Sequence, residues 1–310
     1  MKKISIITPV YNEEENIQYY YDRVVKVIDE IKNYDFEIIF TDNCSTDNTF
    51  SLLSSLSDKD RRIKVYKFIR NYGYQRSIFT GYSKASGDGV IEFDCDLQDP
   101  PEMLPEFIKA WEAGNKIVYG KRLKRKEGVV ITSVRKLYYR LLSAVSDTDL
   151  PIDAGDFMFL DRVVVDQLKK VKDVHVYIRG EVFSLGFQRY AIDYKRDVRV
   201  YGESKFPISK LFSLAADGFV SQSILPLRFA SFFGIGLATI TFFLIVFYVV
   251  LNLTGVVRAE GFTTITVLIL LSISINAIFL GIIGEYLARI YLNMQNKELT
   301  IIDKEIDNEM

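Results

Sequence analysis

An α/β fold with a mainly parallel sheet and helices on both faces is predicted for the first 120 or so residues. Three observations carry that reading. Apolar runs rich in β-branched residues alternate with amphipathic helical patterns. Polar residues follow the strands in succession: Pro9 to Glu13, Thr41 to Ser45, Arg70 to Gln75 and Asp94 to Gln98. Near the C-terminus, two long charge-free runs add a membrane anchor to this domain.

In chain order, the expected strands are Ile4–Val10, Glu37–Thr41, Ile63–Phe68, Val90–Phe93 and Ile117–Tyr119. The expected helices between them are Glu14–Lys32, Thr46–Leu56, Gln75–Ala85 and Pro101–Ala113. Such a rhythm gives parallel strands whose ligands bind at the C-terminal strand ends. The start, Met1-Lys2-Lys3 followed by Ile4 to Val10, is too short and too soon broken by Pro9 and Glu13-Glu14-Glu15 for a signal peptide. Beyond the sheet, the basic run Lys121 to Lys126 reads by itself as a solvated loop, but beside two amphipathic helices and a membrane anchor it points to an anionic lipid headgroup or phosphate. Ser133–Ser146, carrying Arg135, Lys136 and Arg140 among Leu, Val and Tyr, is an amphipathic helix suited to a membrane interface. Pro207–Val220 is a second such helix.

No charged residue occurs from Phe229 to Leu253, nor from Phe262 to Gly284, and each run can cross a bilayer as a helix. The resulting division is a catalytic domain over 1–206, with its basic loop and interface helix at about 121–146. An amphipathic segment follows at 207–228, then spans at 229–253 and 262–288, joined by a short loop at 254–261, and a tail at 289–310. Arg228, Arg289 and Lys297 flank the spans, so the positive-inside rule sets the catalytic domain and both termini on the cytoplasmic side of a plasma membrane. The polar tail from Asn296 is expected to fray.

Composition excludes several classes of function. Lys plus Arg (39) balances Asp plus Glu (40), so no global field calls for nucleic acid. Two cysteines, Cys44 and Cys95, are too few for a disulfide framework, and His175 is the only histidine, which disfavours zinc clusters and a Ser-His-Asp triad. Catalysis must lean on carboxylates, a metal and cationic side chains.

The strongest candidate for that chemistry is Phe93-Asp94-Cys95-Asp96-Leu97-Gln98-Asp99-Pro100-Pro101. Carboxylates at i and i+2 of an extended segment point to one side, where a hard cation bridges them and relieves their repulsion. The alternative is an acidic turn capping the helix that begins near Pro101, and the two are compatible, with Asp99 as cap and Asp94 and Asp96 as ligands.

These residues have a family likeness. Ile6-Ile7-Thr8-Pro9-Val10-Tyr11-Asn12-Glu13-Glu14 resembles the opening of family 2 glycosyltransferases of the GT-A (Rossmann-like) fold. Thr41-Asp42-Asn43-Cys44-Ser45-Thr46-Asp47-Asn48-Thr49 resembles their second-strand signature, D-D-G-S-x-D-x-T. It departs in Thr41 for the first acid and Asn43-Cys44 for the usual Asp-Gly pair. Asn71-Tyr72-Gly73-Tyr74-Gln75, the Asp94–Pro101 segment, Asp153–Phe157, Gly202–Pro207 and Gly284–Tyr291 are similar to motifs of the polyprenyl-phosphate branch. That branch includes dolichyl-phosphate mannose synthases and bacterial polyprenyl-phosphate glucosyltransferases.

The resemblance implies inverting transfer of a hexose from a nucleotide sugar to a polyprenyl phosphate. UDP-glucose is the first expectation for the donor, followed by GDP-mannose and a UDP-amino-arabinose. It implies Mg2+ or Mn2+ on Asp94 and Asp96 with Gln98, and a nucleotide pocket lined by Pro9, Tyr11, Glu13, Asp42 and Gln75. Asp156 matches the residue often assigned a base role. A phosphate monoester is largely dianionic at neutral pH, so it needs cationic placement more than a strong base. Arg122, Arg125, Arg135, Arg196, Arg199, Ser204 and Lys205 are the candidates for that placement. Orienting the acceptor or supporting the metal is then the alternative duty of Asp156. A processive polysaccharide synthase fits less well, because the sole tryptophan, Trp111, lacks a Q-x-x-R-W context. A non-catalytic membrane scaffold is disfavoured by the retained Asp94 and Asp96. Small residues in the spans, Gly234, Gly236, Gly281 and Gly284, suit self-association, with a homotetramer as the expectation.

Overall fold

The computed structural model describes residues 1–123, 151, 154–171, 176–196, 225–254, 261–294 and 298–307. The chain divides into two compact units, Met1–Ala215 with Lys297–Met310, and Ala216–Asn296.

In the first unit the strands form an eight-stranded sheet in the order β7-β5-β6-β4-β1-β2-β3-β8. The expected strands are β1 (Lys2–Val10), β2 (Tyr34–Asp42), β3 (Ile63–Phe68), β4 (Gly89–Glu92) and β5 (Ile117–Arg122). The later ones are β6 (Ala154–Asp161), β7 (Arg189–Tyr194) and β8 (Ile302–Ile306). β1 pairs in parallel with β2 and β4, and β2 with β3, which sets Val10 beside Asp42 and Ile7 beside Glu92. β6 runs antiparallel between β4 and β5, so the sheet is mixed, while β7 is parallel to β5. The basic run therefore begins inside a strand: Lys121 and Arg122 end β5, Leu123 follows with its N–H on the Tyr194 carbonyl, and 124–126 lie outside the described residues.

The helices are α1 (Ile17–Glu30), α2 (Thr49–Lys59), α3 (Tyr74–Lys84), α4 (Leu104–Glu112, after a 3-10 turn at Pro101–Met103), α5 (Arg162–Leu168) and α6 (Ile178–Ser184). Alternate strand residues face opposite ways, so each face needs cover. Residues of α1, α2 and α4 share one buried cluster with Ile4, Ile6, Ile38 and Phe40. On the opposite face α3 meets Ile7, whose Cβ would lie 3.1 Å from a Cβ built on Gly81. Trp111 is core, its indole N–H donating to Asp161 Oδ2 at 2.7 Å.

Over residues 298–307 the tail does not fray. β8 pairs antiparallel with β3, and Ile301 accepts the Ile69 N–H at 3.1 Å. The Thr300 and Thr80 hydroxyls are 2.8 Å apart. Asp307 lies 3.3 Å from Lys64, whose side chain is 6% exposed and also 3.3 Å from buried Glu37. A polar tail can dock this way because an unpaired strand edge offers it backbone partners and a buried lysine needs counter-charge.

The second unit holds α7 (Leu225–Leu253), which begins four residues before the first charge-free run, and α8 (Phe262–Met294), which ends ten residues after the second. Among the described residues one window, Leu271–Ala288, is long and apolar enough to cross a membrane. The corresponding apolar stretch of α7 is shorter, Phe232–Leu244. Phe233 and Phe279 meet edge to face, 6.0 Å between centroids. Many large apolar side chains of both helices are exposed, among them Phe232 at 72% and Leu280 at 69%. The segments expected to be interfacial helices, 133–146 and 207–220, lie outside the described residues.

Candidate functional site

The C-terminal ends of β1, β2, β3 and β4 lie side by side, and each loop that follows contains one left-handed residue. These are Asn12 (φ 53), Cys44 (φ 63), Gly73 (φ 89) and Leu97 (φ 53). Among the described residues no other non-glycine has positive φ. At Asn12, Cys44 and Leu97 such conformations cost about 1 kcal/mol or more each and persist where surrounding contacts over-determine them. The bonds that do so here join the loops: Asn12 N–H donates to Ser45 Oγ at 2.9 Å, and Asn12 Oδ1 accepts from Thr46 N–H at 2.8 Å.

After β4 the chain does not stay extended, as the sequence suggested. Leu97 N–H donates to the Asp94 carbonyl at 3.2 Å, closing a turn. Exposure still alternates: Cys95 and Leu97 are buried at 3% and 1%, while Asp94, Asp96 and Gln98 are half-buried. The three candidate ligands thus share the open side, but a turn, not a strand, puts them there. Asp99 is not the expected helix cap; Pro100 holds that position, with no side-chain bond. Asp99 is instead 2% exposed, accepts from Tyr194 Oη at 2.5 Å, and faces Arg122 at 3.7 Å and Arg196 at 3.5 Å.

Negative charge is crowded here. Burial, and after it the charges of Asp96 and Asp99, push the Asp94 carboxyl up to about 7. Tyr74 opposes this by donating to Asp94 Oδ1 at 2.8 Å, as does Arg196, 3.8 Å from Oδ2. Glu92 is buried, and its carboxyl lies well above the usual range because of burial and then Asp94, Asp156 and Asp99. The Tyr74 hydroxyl is itself raised well above its ordinary value by burial, Asp94 and Glu92, so it stays a donor. This donor set suits a hard divalent cation: oxygens on an open side, with excess negative charge that a cation relieves. Among the described residues no three His, Cys, Asp or Glu side chains form a complete cage. A cation on Asp94 and Asp96 would need further oxygens, as Mg2+ usually takes from phosphate and water.

Arginines surround the acids. Arg122 Nε donates to Tyr194 Oη at 3.1 Å. Gly155 makes room for that guanidinium, since a Cβ there would lie 3.0 Å from Arg122 Nη2. Asp156 is forked by Arg179, at 3.2 Å and 3.4 Å, and Arg179 also donates to the Ala154 carbonyl at 2.9 Å. Arg179, Tyr74, Tyr194 and Glu92 were not singled out from the sequence. Tyr74 lay in a quoted motif, whereas Arg179 sits on a seven-residue helix with no motif signal.

On the nucleotide side, Asp42 is fully buried, with Oδ1 accepting the Ser45 N–H at 2.8 Å. Its Oδ2 is buried without a hydrogen-bond partner, and burial raises the carboxyl against the Ser45 bonds. Pro9 lies buried within β1, and Tyr11 is 37% exposed in the loop after it. Glu13 organises the start of α1, its carbonyl accepting from Asn16 and Ile17 and its carboxylate from Asn16 Nδ2 at 2.6 Å. Gln75 turns its carbonyl to the Ile178 N–H at 2.9 Å, tying α3 to the helix that bears Arg179. Arg125, Arg135, Arg199, Ser204 and Lys205 lie outside the described residues.

The family model described as glycosyl transferase family 2 matches residues 5–169. An uncharacterized glycosyltransferase, YkcC, of Bacillus subtilis is 40% identical over 97% of this chain and 93% of its own length. The SfII prophage-derived bactoprenol glucosyl transferase of Shigella flexneri is 35% identical, over 97% of this chain and 98% of its own. A prophage bactoprenol glucosyl transferase homolog of Escherichia coli is 32% identical over 97% of this chain and 99% of its own.

Proposed function

The chain belongs to glycosyl transferase family 2, and from that premise we propose that it transfers glucose from UDP-glucose to a polyprenyl phosphate, with inversion. The observation that carries the reading is the meeting of opposite charges at one sheet edge. Asp94 and Asp96 offer oxygens on the open side, and Arg122 and Arg196 stand within 3.8 Å of the same acidic group. A diphosphate leaving group with its cation and a phosphate acceptor require just those two kinds of partner. Relatives named bactoprenol glucosyl transferase along their whole length support the choice of lipid and sugar.

Asp94 and Asp96, with Gln98, would hold Mg2+ or Mn2+, which supplies charge neutralisation for a departing diphosphate. Tyr74 fixes the rotamer of Asp94 by its hydrogen bond. Asp42 presents its unpaired Oδ2 to the nucleoside, a buried acceptor suited to a base or ribose donor. Arg122 and Arg196 position the acceptor phosphate, each braced by Asp99. Asp156, held by Arg179, orients the acceptor group and has no proton to remove from a dianion. Attack by one phosphate oxygen on the anomeric carbon breaks the bond to the diphosphate on the opposite side, so an α-linked donor gives a β-linked lipid phosphate sugar. α7 and α8 would anchor the chain in a bacterial plasma membrane as two spans, with the catalytic unit and both termini cytoplasmic.

The test is release of UDP from UDP-glucose by purified protein with Mn2+, on addition of a polyprenyl phosphate. Lipid-dependent release and a β-linked product are expected. Release from GDP-mannose or a UDP-amino-arabinose instead would overturn the choice of sugar. Lack of release with every common nucleotide sugar would overturn the transfer reaction itself.

A further inference from the structure

Asn43 stands where the family signature carries an acid, and its amide uses both ends. Its Oδ1 accepts the Tyr72 N–H at 2.7 Å, and its Nδ2 donates to Asn71 Oδ1 at 3.0 Å. Asn71 Oδ1 in turn accepts the Gly73 N–H at 2.9 Å. Backbone donors at Tyr72 and Gly73 fix which end of each amide is oxygen, so the pairing has one orientation. The Cys44 thiol approaches the Ile69 carbonyl at 3.7 Å, and Ile69 N–H is held by Ile301. Within the 69–73 loop, Arg70 stacks over Tyr72, 4.7 Å from its ring centroid. This loop is therefore clasped to the end of β2 directly beside Asp42, whose Oδ2 is buried and unpaired.

We propose that Asn43 is a positioning residue for the nucleoside half of the donor, locking the 69–73 loop as the pocket wall next to Asp42. The inference rests on the nucleotide-sugar reading above and adds a role for a residue at which the chain departs from its family. A carboxylate in its place can accept from Tyr72 but cannot donate to Asn71, and would set two acceptor oxygens against each other. Losing that bond opens the wall without touching the acidic group that meets the diphosphate.

Full-length N43D, N71A and the double variant would be titrated calorimetrically with UDP and with inorganic pyrophosphate, in Mn2+. Each single substitution is expected to weaken UDP about tenfold. The double is expected to be no weaker than the worse single, because both remove one shared bond. Pyrophosphate affinity is expected to stay at the wild-type value. Unchanged UDP affinity in either folded single variant, multiplying losses in the double, or an equal loss for pyrophosphate each overturns the clasp. N71A acts from the exposed side and decides the matter alone if N43D does not fold. Wild-type protein that binds none of UDP, GDP, CDP and dTDP overturns the nucleotide-sugar reading, and the clasp with it.

Discussion

Replacing Asp156 by Asn separates two roles for that residue. Its carboxylate is forked by Arg179 at 3.2 Å and 3.4 Å, its side chain is 13% exposed, and its charge raises the Glu92 carboxyl. If Asp156 were a general base, its loss would cost about 100- to 10,000-fold in turnover. If it orients, Asn keeps an oxygen that accepts from Arg179 and loses only the charge reinforcement of that bond. The difference between a charged and a neutral hydrogen bond is about 1 kcal/mol, or roughly fivefold in rate. D156N is therefore expected to retain about a fifth of the turnover, with a flat profile above about pH 6.5, where the acceptor phosphate is dianionic. D96A, which takes an oxygen from the open side of the turn, is expected to fall about a thousandfold or to background. The assay is UDP release from UDP-glucose in detergent, with both variants matched for folded protein. Equal losses in D156N and D96A, or a D156N loss above a hundredfold, would refute the reasoning.

Three further outcomes follow from the packing. Burial opposes ionisation of Glu37, but hydrogen bonds from Ser5 and Ser86 and the nearby Lys64 outweigh it and hold the carboxyl below its usual range. A lowered carboxyl contributes stability above the unfolded-state value and loses it as pH falls through the folded one. E37Q should thus cost about 3 kcal/mol at pH 7, read from urea midpoints, with the gap to wild type closing below about pH 4. Deleting residues 298–310 strips Lys64 of Asp307 and bares the edge of β3. A loss of about 3 kcal/mol and concentration-dependent aggregation in light scattering are expected, and an unchanged midpoint would contradict the docking of the tail. G155A places a Cβ 3.0 Å from the flexible end of Arg122, so the guanidinium shifts from Asp99. A severalfold rise in acceptor KM with little change in Tm is expected, and a large fall in Tm with unchanged KM would contradict it.

The parallel part of the sheet was legible because each strand there carries its own signal. Ile63–Phe68 holds Ile63, Val65, Tyr66 and Phe68 in six residues and is bounded by a charged turn before it and Asn71-Tyr72-Gly73 after it. β8 was not legible, because Ile302-Asp303-Lys304-Glu305-Ile306 has charges at three successive places. That composition reads as a solvated tail, yet an edge strand tolerates charge on its open side, and only tertiary pairing with β3 reveals it. The antiparallel β6 went unread for a related reason: its apolar run reports burial but not direction.

At the site, the part that was legible is the part with sequence period. Asp94, Asp96 and Gln98 share a side because their alternation with Cys95 and Leu97 survives the change from strand to turn. Asp99 was misread because the helical turn that begins at Pro101 takes Pro100 as its cap, while the partners of Asp99 are distant in sequence: Arg122 and Tyr194 at the ends of β5 and β7, and Arg196 just beyond β7. The departures at Asn43 and Cys44 were visible but uninterpretable without φ. Cys44 adopts the left-handed backbone (φ 63) that the family's glycine accepts without a Cβ penalty. The chain tolerates that cost of about 1 kcal/mol because the flanking residues are fixed independently: Asn43 N–H by the Val10 carbonyl at 2.9 Å, and Ser45 N–H by Asp42 at 2.8 Å. The same two bonds hold Asp42 in place with one oxygen unmatched. Strain and the unmatched acceptor therefore meet in one loop, the arrangement the proposed nucleoside site calls for.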